Sequence, residues 1–252
     1  MQRRQYRSPP IEEAVCELRF LPNPEQDFAA PARFYEAIRN DYPAKPELQA
    51  LPPSELTVEG KPAGFQVALR GQGGKILFSN GARTHLVGLA SNLLSVHMLR
   101  PYPGWENFRP KIVQAIEAYV AAASPKGLSR IGFRYINKIE VGQENRPIAE
   151  LLTIGPLTPE AISLDKATSF VRVEAAYPDR PARLAVTVAS VEPSKPGGAA
   201  MLLDLEVSQE WPSEQPLPIA ETMAAIDEFR VRERAAFEAY ITNHARKIFD
   251  AD

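Results

Sequence analysis

The chain has 252 residues, with 29 lysines and arginines against 31 acidic residues and a formal net charge of −2. At 44% hydrophobic and 24% charged it has the composition of a globular chain, which excludes wholesale disorder, and the balanced charge supplies no general drive toward nucleic acid or an anionic membrane. A single cysteine, Cys16, excludes an intrachain disulfide and a multi-thiolate metal site. No apolar run approaches the ~18 residues of a membrane span, and the opening MQRRQYRSPPIEE lacks an apolar signal-peptide core; a reducing, cytoplasmic setting is the expectation.

Proline is the compositional outlier, with 24 in the chain, about twice ordinary usage, clustered between periodic runs as loop punctuation. Arg3, Arg4 and Arg7 make the first ten residues a basic arm that ends at Pro9-Pro10. From Ile11 to Phe20 the chain alternates, with Ala14, Cys16, Leu18 and Phe20 on one side and Glu13, Val15, Glu17 and Arg19 on the other, which predicts an amphipathic strand. A helix is predicted around Pro31 to Tyr42, carrying Phe34, Tyr35 and Ile38 on one face, and residues 43–54 read as proline-rich loop. Short strands follow at 56–59, 65–70, 75–79, 84–89 and 93–99, with Gly71-Gln72-Gly73-Gly74 and Asn80-Gly81 as hairpin turns, in the spacing of an antiparallel meander. After Pro101-Tyr102-Pro103-Gly104-Trp105, a helix is predicted from Glu106 to Ala123 with Phe108, Ile112 and Ile116 in its stripe and Pro110 in its first turn.

The second half repeats this order of events. Ser129 to Val141 predicts a long strand, with Phe133, Tyr135, Asn137 and Ile139 on one face and Arg134, Ile136, Lys138 and Glu140 on the other. A short helical stretch at 147–152 precedes strands at 170–177, 183–191 and 201–209, and Ile219 to Phe249 reads as one long helix with Met223, Ile226, Phe229, Phe237 and Tyr240 at helical spacing. The expected class is therefore α+β. It is read as two β-α-β(3–5)-α units, residues 1–125 and 126–252, packed as one module in a TBP-like or helix-grip-like arrangement, with antiparallel sheet covered on one face by long helices.

The pattern names no catalytic residue, metal-ligand set or cofactor loop. His85, His97 and His244 form no HExxH pair, there is no GxSxG elbow, and the glycines at 71–74 precede a strand instead of opening a helix. Cys16, on the apolar side of its strand, reads as a small buried hydrophobe. Two groups remain as candidates. Glu13, Glu17 and Arg19 on the first strand, with Arg134 and Lys138 on the second long strand and Arg70, Arg172 and Arg183 opposite, would suit a polyanion with a divalent cation, as in triphosphate tunnel enzymes. Their Glu-x-Glu-x-Lys strand is broken here by Val15, and a solvated face of cross-strand ion pairs is the alternative. Tyr102 and Trp105 either anchor a partner or staple the helix onto the sheet, and Arg230, Arg232, Glu233 and Arg234 form a polar block on the last helix that offers a partner surface.

The run Pro9-Pro10-Ile11-Glu12-Glu13-Ala14-Val15-Cys16-Glu17-Leu18-Arg19-Phe20 resembles the opening signature of a sporadically distributed, uncharacterised family of bacterial proteins of about this length. Residues 101–108, the stretch RIGFRYINKI at 130–139 and the run AFEAYIT at 236–242 are similar to that family too. The resemblance implies a single full-length module in a bacterial cytoplasm, and the patchy distribution is compatible with mobile, accessory or defence-linked genes; it carries no reaction with it. The leading expectation is a non-enzymatic accessory protein, without cofactor, that works through a protein partner and is capable of homodimerising. The alternatives are an enzyme or sensor for a phosphorylated ligand or nucleotide, built on Glu13, Glu17, Arg19, Arg134 and Lys138, and a nucleic-acid binder.

Overall fold

The computed structural model describes residues 5–21, 29–50, 55–61, 64–70, 74–141, 148–154, 169–195 and 198–250. In chain order these form β1 (Ile11–Phe20), α1 (Ala30–Ile38), β2 (Glu47–Ala50), β3 (Glu55–Lys61), β4 (Gly64–Arg70), β5 (Gly74–Ser79), β6 (His85–Leu89), β7 (Leu93–Leu99) and α2 (Trp105–Ala123). The second half contributes β8 (Leu128–Val141), α3 (Ile148–Leu151), β9 (Phe170–Ala176), β10 (Ala182–Val191), β11 (Ala199–Glu210), a 3-10 turn (Ile219–Glu221), α4 (Thr222–Tyr240) and α5 (Asn243–Asp250).

The class is α+β. Nine strands make one antiparallel sheet in the order β2-β5-β6-β7-β1-β8-β11-β10-β9, while β3 and β4 pair only with each other. Read outward from the central β1–β8 pair, each flank begins with the strand that precedes a long helix: β7, before α2, lies beside β1, and β11, before α4, lies beside β8. The period-2 alternation decides which side of the sheet is dry. Ala14, Cys16, Leu18 and Phe20 of β1 are fully buried, as are Ile131, Phe133 and Ile139 of β8 and Leu94 of β7. Each of the large aliphatic and aromatic side chains among them contributes about 2 kcal/mol when removed from water. Helix α2 packs on β7 and against α1, and α4 packs on β8 and β11. A second apolar cluster joins Phe237, Ile241 and Phe249 to Val186, Leu203 and Leu205.

Several local expectations are corrected. Residues 47–50, read as loop, form edge strand β2, because Gln49 pairs with Lys75 and Leu48 with Ile76. The glycines at 71–74 do not close a hairpin: β4 and β5 on either side of them belong to different sheets, and residues 71–73 lie outside the described residues. The Asn80-Gly81 turn does close one, since β5 and β6 pair and the Asn80 side chain accepts the backbone N–H of Thr84 at 2.8 Å and of His85 at 3.1 Å. Pro110 sits at the sixth position of α2, one turn further in than expected, and leaves the Glu106 carbonyl without its helical donor. The long terminal helix is broken at Ile241, whose backbone is extended and which bridges to Leu152, and Thr242 then starts α5 by accepting the N–H of Ala245. Among the described residues no helix is long and apolar enough to cross a membrane.

Candidate functional site

The charged side of β1 and its neighbours is built by register. Glu17 stands opposite Gly132 of β8, and Gly132 stands opposite Ser208 of β11, so side chains from three strands share this face. Arg130 crosses here, donating to Glu17 at 3.1 Å and forming a close ion pair with Glu206. Glycine at 132 makes the crossing possible, because a Cβ there would lie 2.7 Å from an Arg130 nitrogen and 2.6 Å from a Glu206 oxygen. Arg134 donates twice to the buried Asp204, at 2.6 and 2.5 Å, and Arg19 reaches Glu17 at 3.3 Å. Lys138 contacts Ser194 and Glu140, both at 3.0 Å, and Arg172 is held by Glu174 and Thr187. Glu13, Glu17, Arg19, Arg134 and Lys138 thus lie on one face as expected, but each already has a partner inside the protein. Arg70 lies among residues whose side chains are not described. Within the described residues no trio of His, Cys, Asp or Glu could hold a metal ion.

One arrangement on this face resembles catalytic geometry. His97 Nδ1 is 2.7 Å from Glu13 Oε1, and its Nε2 is 2.8 Å from Ser95 Oγ. That is the acid–imidazole–hydroxyl order of a hydrolytic triad. Ser95, however, is 1% exposed, and β7 is paired on both sides, by β1 and β6, so its backbone amides are committed to the ladder and do not form an oxyanion hole. The contact works as a structural hydrogen bond between strands β1 and β7. Burial raises the Glu13 pKa most, but the His97 hydrogen bond and the charges of His97, Arg134 and Lys75 outweigh it and hold the carboxyl below its ordinary value.

A different site opens on the helical side. A cavity of about 510 Å³ lies between the N-terminal arm, the segment from Tyr102 to Asn107, the middle of β8 and one face of α4. It is ligand-sized. Gly104 turns the chain into α2 with φ of +96°, a conformation that favours glycine, and so lets Trp105 drop onto the sheet against Phe108 and Phe133. Tyr102 packs edge-on to Tyr135, and their hydroxyls hydrogen-bond at 2.8 Å. Tyr102 and Trp105 therefore staple the helix start onto the sheet and also wall the cavity. Burial drives the Tyr102 hydroxyl up to about 12, the Tyr135 hydrogen bond and the nearby arginines only partly opposing it. Asn137 is anchored to the Leu203 carbonyl at 3.1 Å.

Helix α4 supplies the charge. Its inward stripe runs Ile226, Phe229, Glu233 and Phe237, so an acid occupies a position that helical periodicity reserves for an apolar side chain. Glu233 is 2% exposed, and its Oε1 has no hydrogen-bond partner. Burial pushes its pKa well above the ordinary 4.5, although Arg234 and Arg230 pull the other way. Arg230 lies over the Trp105 ring, 4.8 Å from its centroid, and Arg234 lies one turn further along the helix. Both are half-buried cavity walls, and among the described residues neither forms an ion pair. The block Arg230, Arg232, Glu233 and Arg234 is accordingly not one solvated surface: the helical turn directs Arg232 to Asp179 and Glu228, away from its three neighbours. Glu238, also in the wall, is spent on Tyr6 and Arg246.

Tyr102, Trp105, Arg230 and Arg234, the candidate partner surface, all line this cavity. Glu233, Tyr135 and Asn137 were not singled out as site residues. A signal was present for Glu233, an acid inside an apolar stripe, whereas Tyr135 and Asn137 look in sequence like any other inward strand positions. No protein-family model matches the chain, and neither does any curated protein.

Proposed function

We propose that the chain is a ligand-binding accessory protein: the cavity beside α4 takes a small molecule, and a protein partner reads the loaded state. The observation that carries the reading is Glu233, a buried carboxyl with an unpartnered oxygen in the wall of a cavity of about 510 Å³. Leaving such a group unsatisfied costs about 1–3 kcal/mol, a cost that a fitting ligand removes on binding. The expectation of two β-α-sheet-α units belongs to this reading, with residues 1–125 and 126–252 joined through β1 and β8 and the long helices covering one face. The strand order on either side of that pair supports it. Membership of the bacterial family whose opening signature the first strand resembles, and its cytoplasmic setting, are part of the same proposal.

Native mass spectrometry of the tagged protein purified from its host tests the reading. The expected result is a bound mass that is lost on denaturation and absent from Asn107→Trp, which plugs the cavity from an exposed wall position. A mass that Asn107→Trp leaves in place, or none in either protein, overturns the ligand site. Recovery of the protein alone under all conditions overturns the partner.

A further inference from the structure

We propose that the cavity selects anions, taking a compact aromatic carboxylate or phosphate ester between the two α4 arginines and the carboxyl of Glu233. The inference rests on the cavity being the functional site and adds the charge and class of what it holds. It follows from counting donors and acceptors. Arg230 and Arg234 offer only N–H donors. Arg230 meets the Trp105 ring with its guanidinium carbon 4.8 Å from the centroid and makes no hydrogen bond to a described residue, so its N–H groups remain for the two-point contact that a carboxylate or two phosphate oxygens make. In the Tyr102–Tyr135 pair one hydroxyl donates to the other, so one O–H remains to be given away. Burial favours the protonated form of Glu233, in which the carboxyl is a further donor. The remaining charges of the wall balance in number: Glu238 is paired with Arg246, and Arg7 on the arm and Glu106 on α2 are of opposite sign. The cavity therefore presents donors and positive charge in excess, with the aromatic rings of Tyr6, Tyr102, Trp105 and Tyr135 in its wall. A cationic ligand would meet two uncompensated guanidiniums and would require Glu233 to ionise against its burial.

Calorimetric titration with a charge series of nearly equal shape tests this: benzoate, benzamide and benzamidinium, with phenyl phosphate as the second anion. The expected result is that at least one of the two anions binds about tenfold or more tighter than benzamide, with benzamidinium weakest. Preference for benzoate assigns the carboxylate class, and preference for phenyl phosphate the phosphate ester. Arg230→Gln and Arg234→Gln each lower anion affinity about tenfold and leave benzamide unchanged. Glu233→Gln keeps a donor and keeps affinity, while Glu233→Leu weakens it. Tightest binding by benzamidinium, abolished by Glu233→Gln and by Asn107→Trp, overturns the anion assignment and leaves the ligand cavity standing. Absence of binding by all four probes, or binding that Asn107→Trp does not change, overturns both.

Discussion

The two sides of the central sheet treat their charged groups in opposite ways. On the open face Glu17, Arg130 and Glu206 share one cluster, Arg134 grips Asp204, and Glu13 holds His97. Against the helices, Arg230 and Arg234 have no ion-pair partner among the described residues, and Glu233 is buried with a bare oxygen. Charges that have already found one another stabilise the sheet and have little left for a ligand. Charges kept apart in a partly dry cavity do the reverse, weakening the fold slightly while retaining their capacity to bind. The polar face that looked richer in chemistry from its residue types has its charges paired off, and the face that looked like plain core contains the cavity.

Breaking the paired side should have the largest effect. Arg134→Ala strands Asp204, whose side chain is 7% exposed, and the expected loss is about 2 kcal/mol in denaturant unfolding, moderated because Arg134 itself is 41% exposed. Replacing both residues by leucine should recover most of it; a single-variant loss near zero would remove the argument that this face is held by its pairs. Arg130→Ala comes next, at about 1 kcal/mol, since Glu17 and Glu206 can still reach water.

Two carboxyls then give opposite pH behaviour. Glu233 has its pKa raised by burial, so its contribution to stability is complete below 4.5, the ordinary value, and is lost as pH rises toward the folded-state value. Glu233→Gln should therefore melt progressively higher than the parent as pH rises above 4.5, the two curves converging below it. Glu13 has its pKa lowered, chiefly through His97 working against burial, so its contribution is present above 4.5 and disappears as pH falls through the folded-state value. Glu13→Gln should flatten that acid limb and leave the alkaline side unchanged. Thermal melts across pH check both, and parallel curves for either variant would count against its assignment. The smallest effect is expected at Arg234→Ala, within about 0.5 kcal/mol of the parent, because there is no ion pair to lose. A loss as large as that of Arg134→Ala would place Arg234 among the structural charges and blur the distinction between the faces.

Much of the fold was legible because its elements are locally patterned. The alternation in β1 and β8 and the stripe of α2 declare their buried sides residue by residue, and the Asn80 turn declares its hairpin. The failures were equally local in cause. Edge strand β2 has four residues and a proline-rich approach, too little for a period to show, and the break at Ile241 is decided by its bridge to Leu152 instead of by helix propensity. Glu233 was visible as an acid in an apolar stripe, but a polar block on a helix surface accounted for it equally well.

What the sequence by itself determined is which side of each strand and helix is apolar, since side-chain direction follows the periods of 2 and 3.6 without reference to anything distant. Only the tertiary structure decided which strands meet and which charges face one another. Arg130 finds Glu17 across 113 residues of chain, and Trp105 receives Arg230 from the opposite half of the molecule. Such encounters depend on register and on helix placement against the sheet. They are set by the packing of the whole core, and no local period encodes them.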